Sequence, residues 1–185
     1  MKKVLKWIGV GLAALLALAL VLFGYFYWKG GQFLAARRVV TAEELAVPSD
    51  EISRARGAHL TAVYCGECHG VDLGGGPFID DAAFAIVPAP NLTRGRGGVG
   101  AGYDTAAWVR ALRHGVGGRD GRALFVMPAE YYVNFSREDL AAIVAHLAEA
   151  TPVDRELPGR RFGPVGRTLI GAGPLRGAFA VERIE

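Results

Sequence analysis

The chain is poor in the residues that metal and redox chemistry draws on. Its 185 residues hold two cysteines, four histidines and two methionines, one of them the initiator. Two cysteines exclude a disulfide-dense scaffold and any four-cysteine zinc site. Lysine is equally scarce: Lys2, Lys3, Lys6 and Lys29 are the only four. The net charge of +3 is therefore unevenly spread. Residues 1–48 carry six basic and two acidic side chains (+4), and residues 49–150 carry nine arginines against twelve acids (−3). Residues 151–185 carry six arginines against four acids (+2). The bulk of the chain lacks the basic footprint of a nucleic-acid binder, so no nucleic-acid partner is expected. With 51% hydrophobic residues it is also too apolar for a disordered chain.

What the sequence does have begins at its N-terminus. From Trp7 to Trp28 no side chain is charged or strongly polar. Those 22 residues make a helix about 33 Å long, enough to cross a hydrocarbon core of about 30 Å. A cleaved signal peptide has an apolar core of only about 7–15 residues before a small-residue site. Ala17-Leu18-Ala19 imitates such a site, but the apolar run continues through Val21 and Leu22. It ends in Phe23, Tyr25, Phe26, Tyr27 and Trp28, a belt suited to a membrane–water interface. Lys2, Lys3 and Lys6 precede the span and favour an inside N-terminus with the rest exported. Residues 1–28 thus read as an uncleaved single-pass anchor. Residues 29–48 read as a stalk, 49–150 as the compact domain and 151–185 as a Pro/Gly/Arg-rich extension.

The chemistry is concentrated in Cys65-Gly66-Glu67-Cys68-His69. This is C-x-x-C-H, the attachment signature for c-type haem. Two thiols three positions apart at a helix end can add to the two vinyl groups of one haem. The adjacent His69 then falls under the iron as proximal ligand, its other ring nitrogen oriented by a carbonyl. A thioredoxin-like motif would need a βαβ setting, and zinc would need further thiolates. Neither is present. Upstream, Ser49 as N-cap with Asp50 and Glu51 in the first turn predicts an amphipathic helix from Asp50 to Tyr64.

Met127 is the one methionine besides the initiator, and Pro128 follows it. A thioether opposite a histidine raises an iron's reduction potential and suits an electron carrier. The competing sixth ligands are His59, His114 and His146, each placed by the pattern on a helix. Met127 is the preferred axial partner of His69. A middle helix spans Thr105 to His114 and stops at Gly115. Pro128 to Tyr132 reads as one further turn. Ser136 and Asp139 resemble a capping box opening a last helix with Leu140, Ile143, Val144 and Leu147 on its apolar stripe.

From about Pro48 to Ala150 these residues resemble a class I cytochrome c. The resemblance implies an all-α fold around one covalent haem c, preceded here by the N-terminal transmembrane helix. It implies that the first and last helices of the domain cross, with Gly57 as the small residue at their contact. The family's aromatic partner in the last helix is replaced here by Ala145-His146-Leu147. Pro90-Asn91-Leu92-Thr93 and Met127-Pro128 also resemble monohaem membrane cytochromes and cytochrome subunits of bacterial dehydrogenases. The implied role is single-electron transfer rather than catalysis, on the periplasmic side of a bacterial cytoplasmic membrane. Donors would be a quinol-oxidising complex or a periplasmic dehydrogenase, and acceptors an oxidase or another cytochrome. The alternatives are a fixed cytochrome subunit of a dehydrogenase, or a haem enzyme or gas sensor with an open sixth site.

Other signals are weaker. Gly95-Arg96-Gly97-Gly98-Val99-Gly100 matches a dinucleotide fingerprint but lacks the preceding strand and following helix. It reads as a loop. The sequons at Asn91 and Asn134 matter only in a eukaryotic secretory route. Arg94, Arg96 and Trp108 are either contacts for haem propionates or loop charge and core. The 151–185 extension either wraps the domain or docks on a partner or the membrane surface.

Overall fold

In the computed structural model, residues 2–184 are described. Helix α1 (Lys2–Ala35) absorbs the whole apolar run and continues past Trp28 to Ala35. Its residues 2–25 are exposed throughout, and no residue of its apolar window is buried. A bare apolar helix of this length is compatible with a single-pass membrane anchor.

Asp50 caps α2 (Glu51–Tyr64), its carboxylate accepting the Ser53 N–H at 2.9 Å. The cap falls one residue after Ser49, because the extended backbone of Asp50 is the one that aims an oxygen at the third helical amide. A four-residue helix, α3 (Gly66–His69), follows Cys65 directly. Helix α4 (Thr105–His114) is capped by Asp104 and stops at Gly115, which adopts the left-handed conformation at φ 61°. Helix α5 (Ala129–Tyr132) is a single turn. Helix α6 (Arg137–Glu149) opens on Ser136, whose hydroxyl accepts the Asp139 N–H at 3.0 Å.

The fold is helical but not purely so, and here the all-α expectation needs amending. Strands β1 (Gly76–Asp81) and β2 (Ala85–Ala89) form an antiparallel hairpin. Ala85, Val87 and Ala89 are buried in alternation, the period-two signature of a half-buried strand. The Asp81 carboxylate closes the turn by accepting the Ala83 and Phe84 N–H groups at 2.8 and 2.9 Å. The extension supplies the third strand, β3 (Arg161–Phe162), on the free edge of β2. It then forms helix α7 (Pro164–Ala172), with proline at its first position, where a missing N–H costs nothing.

Two apolar cores result. The first joins Leu73, Trp108, Val109, Leu112, Leu140, Ile143 and Leu147, all within the haem-motif region and α4–α6. Here α2 crosses α6 so closely that a side chain at Gly57 would strike the Ala142 carbonyl. Arg56 and Asp139 form an ion pair between the same two helices. The second core joins Val87, Phe125, Ile170 and Phe179, with Phe33 and Leu34 of α1 packed on it. Residues 36–48 lie along the domain between the cores. Arg38 N–H donates to Gly121 O at 2.7 Å, and the Glu43 carboxylate takes Arg113 at 3.1 Å and Arg137 at 3.0 Å.

Candidate functional site

Helix α2 ends at Cys65, and α3 restarts immediately, so both thiols and the imidazole sit on one tight corner. Cys65 is buried and Cys68 exposed; neither is in a disulfide. Burial pushes the Cys65 thiol up to about 11, helped by the neighbouring Cys68, and burial likewise raises Cys68. His69 donates from Nδ1 to the Pro90 carbonyl at 2.8 Å. A carbonyl can only accept, so this bond fixes the tautomer and leaves a lone pair on Nε2. Burial holds the His69 pKa below its ordinary value, outweighing the Pro90 bond. A neutral imidazole with a free Nε2 is the form that ligates metal.

These three residues and Met127 line one cavity of about 500 Å³. That volume is in the range of cofactor pockets, roughly 300–1,000 Å³. Leu92, Trp108, Leu112, Leu124, Phe125 and Leu147 supply apolar walls. Two thiols, an imidazole and a thioether around an apolar slot form the donor set of a covalently held haem, and the residues present fit that group. His59, His114 and His146 are not among the lining residues. His59 is exposed, His114 ends α4, and His146 packs its Cβ toward Gly57. Among the described residues no group of three or more His, Cys, Asp and Glu could hold a separate metal ion.

The segment carrying Met127 is unusually constrained. Val126, a β-branched residue, sits at φ +65°, where such residues are rarely found. Its N–H donates to the Ala178 carbonyl at 2.7 Å, and Phe125 bridges Phe179. The C-terminal extension therefore pins the chain on the residue before Met127. On the other wall, Tyr132 donates its hydroxyl to the Tyr64 carbonyl at 2.9 Å. Burial, with the two thiols nearby, lifts that phenol above its usual range.

Of the three residues considered for propionates, only Trp108 reaches the cavity. Arg96 turns away to Glu156 at 3.4 Å and Asp154 at 3.9 Å. The arginines at the cavity are Arg119 and Arg160, neither of which the sequence singles out. Arg160 donates to the Ala123 carbonyl at 2.8 Å, and among the described residues it has no carboxylate partner. Burial lowers its pKa despite the pull of Asp120. The glycine run 95–100 also finds its reason. Side chains at Gly95 and Gly97 would strike the backbone of Val153 and Arg155, so these glycines let the extension lie against the loop. Asn91, 1% exposed, donates to Val153 O at 2.6 Å and accepts Thr93 N–H at 2.9 Å. Its sequon is a structural clasp.

With this geometry in place, comparison with known proteins points the same way. A family described as cytochrome c oxidase, cbb3-type, subunit III matches residues 53–147. The chain is also 33% identical over 103 residues to a subunit of nicotinate dehydrogenase from Pseudomonas putida. That match covers 53% of this chain but only 8% of the much longer relative.

Proposed function

Because the chain belongs to the cytochrome c family that includes cbb3-type oxidase subunit III, with the covalent haem c and electron-transfer role this implies, we propose a membrane-tethered monohaem carrier. It moves single electrons on the periplasmic side of a bacterial cytoplasmic membrane. Donors are a quinol-oxidising complex or a periplasmic dehydrogenase, and acceptors an oxidase or another cytochrome. The observation that carries this reading is the convergence of Cys65, Cys68, His69 and Met127 on one cavity.

Each residue then has a role. Cys65 and Cys68 would hold the haem through thioethers, and His69, its ring fixed by Pro90, would offer Nε2 to the iron. Met127, on the same cavity, would offer its thioether as the second iron ligand. When bound, the haem supplies a one-electron couple, and a His/Met pair of ligands sets it high. The walls of Leu92, Leu112 and Leu147 would keep water from it. The class I fold and the boundaries at residues 28, 48 and 150 belong to the same proposal.

The likeness to the nicotinate dehydrogenase component favours a second reading, in which the chain is the fixed cytochrome subunit of a membrane-associated dehydrogenase. Copurification with a large catalytic subunit in mild detergent supports it, whereas a monomer in the extract supports the mobile carrier.

A visible spectrum of the oxidised and reduced protein tests the site. The expected result is a haem c signature by pyridine haemochrome and a reduced wild type inert to carbon monoxide. Met127→Ala is expected to bind carbon monoxide readily. Rapid binding by wild type would remove Met127 from the iron and restore the gas-sensor or enzyme alternative.

A further inference from the structure

Two basic stretches of the sequence, separated by more than a hundred residues, meet where α1 leaves its apolar run. Helix α7 packs directly on the end of α1. A side chain at Gly30 would strike the Arg167 carbonyl, and one at Gly171 the Phe26 carbonyl, so the two backbones touch. Residue 171 meets 26 and 30, while residue 167 meets 30 and 31. The helices are therefore antiparallel in sense, with the C-terminal end of α7 toward the apolar span. That end lies level with Phe26, inside the aromatic belt of Tyr25, Tyr27 and Trp28.

Cations ring this junction. Arg167 stacks on Tyr27, 4.2 Å from the ring centre, and donates to the Tyr27 carbonyl at 3.0 Å. Arg176 and Arg38 approach the Phe33 ring at 5.1 and 5.0 Å, and Lys29 lies 5.9 Å from that of Tyr25. Glu182, paired with Arg38 at 3.5 Å, is the one carboxylate with an ion pair to these four among the described residues. No acid occurs between Lys6 and Glu43 or between Glu156 and Glu182. The outward face of α7 carries Val165, Leu169 and Ala172 at helical spacing, followed by the uncharged tip Gly173-Pro174. With α7 standing antiparallel to the span, its uncharged tip and the last residue of this stripe reach the aromatic belt beside a ring of cations, the composition suited to a membrane–water interface.

We propose that α7 and its tip form a lipid-docking collar: Ala172 and Pro174 enter the interface, and Lys29, Arg167 and Arg176 face the phosphates of anionic phospholipids. This rests on reading α1 as a membrane span. The collar holds the haem domain against the bilayer in one orientation, since β3, the second core and the chain before Met127 are all built onto it.

The test uses the full-length, haem-loaded protein in nanodiscs of equal phosphatidylcholine and phosphatidylglycerol. The native thiols are occupied by haem, so an introduced cysteine takes a benzophenone maleimide alone. Leu16→Cys, Ala172→Cys and the exposed Ile52→Cys are illuminated, and lipid adducts are identified by mass spectrometry. The haem absorbance of each variant reports that the domain has assembled; Pro174→Cys replaces Ala172→Cys if the latter does not. The expected result is lipid adducts at 16 and 172 and none at 52. Phosphatidylglycerol should be enriched at 172 over 16 by about threefold, from attraction to the basic ring. Adducts at 16 but none at 172 would overturn the collar and leave the anchor standing. No adducts at either position would overturn the anchor and the collar together. An equal lipid ratio at 16 and 172 would overturn the assignment of these cations to anionic headgroups.

Discussion

The two cores of this protein are built by opposite rules. The first is drawn from one stretch of chain, Cys65 to Leu147, and closes around the haem cavity. The second is stitched from four distant pieces: the end of α1, the β1–β2 hairpin, the segment around Phe125, and the extension. The first core surrounds most of a hole that a cofactor would fill, with Val87 and Phe125 of the second closing part of its wall; elsewhere the second is packed through, with Ile170 and Phe179 at 0% exposure. A cofactor thus completes one half of the molecule, while the other half holds the first to its anchor.

The largest test of this contrast removes the haem. In Cys65→Ala/Cys68→Ala the cavity of about 500 Å³ loses its covalent filling, and even a third of it left as dry void, at about 24 cal/mol per Å³, costs on the order of 4 kcal/mol. That is a large share of the whole stability of a domain, about 5–15 kcal/mol. Native-state hydrogen exchange is expected to show α4 and α6 losing protection while α7, away from the cavity, retains its own. Equal loss in both would show that the cores form one cooperative unit.

Next in size is Phe179→Ala, expected to cost about 3–5 kcal/mol for a fully buried aromatic. Thermal unfolding measures the loss. Because Phe179 also holds the chain before Met127, the reduced variant is expected to bind carbon monoxide faster than wild type. A variant with a lowered Tm that remains inert to carbon monoxide would confine the second core to a purely structural role.

Asn91→Ala breaks the clasp between the first core and the extension. Losing its bonds to Val153 and Thr93 is expected to cost about 1–3 kcal/mol. A shift in the urea midpoint without a change of slope would register it.

The smallest effect is a pH dependence at the surface. Asp72 accepts the Gly74 N–H at 3.0 Å and pairs with Arg155 at 2.9 Å, and these hold its carboxyl below the ordinary 3.8. A depressed folded-state pKa contributes stability that is complete above the unfolded value and is lost as pH falls through the folded one. Wild type should therefore lose slightly more stability than Asp72→Asn as the pH falls below about 4. Parallel curves would show that this link between the haem-motif loop and the extension is energetically silent.

The contrast also explains what could be read from the sequence. Local signals marked the first core: Ser136 as a cap, Gly115 as a stop, and the apolar stripe of α6. The C-x-x-C-H motif and Met127 also carry their chemistry in their spacing and rarity, and the structure gathers them on one cavity. The second core left no such mark. Helix α7 has only nine residues, and its close-packed positions, Gly166 and Gly171, are glycines that read as loop. The alternation of Ala85, Val87 and Ala89 was a legible strand signal, hidden by the prolines at 88 and 90. Arg160 could not be assigned to the cavity, because nothing local ties residue 160 to a site around residue 69.

A β-branched residue held at positive φ, as Val126 is, costs on the order of 1–3 kcal/mol, and it persists here because Ala178 accepts its N–H. Were Met127 to hold the iron, that bond and the Ala178 contact would both favour the same backbone conformation. Linkage is reciprocal, so whatever the extension adds to methionine ligation, ligation must add to docking of the extension. Since ferrous and ferric iron differ in their hold on a thioether, the grip of the tail would then become a function of oxidation state. Val126→Gly, free of the penalty, would uncouple the two.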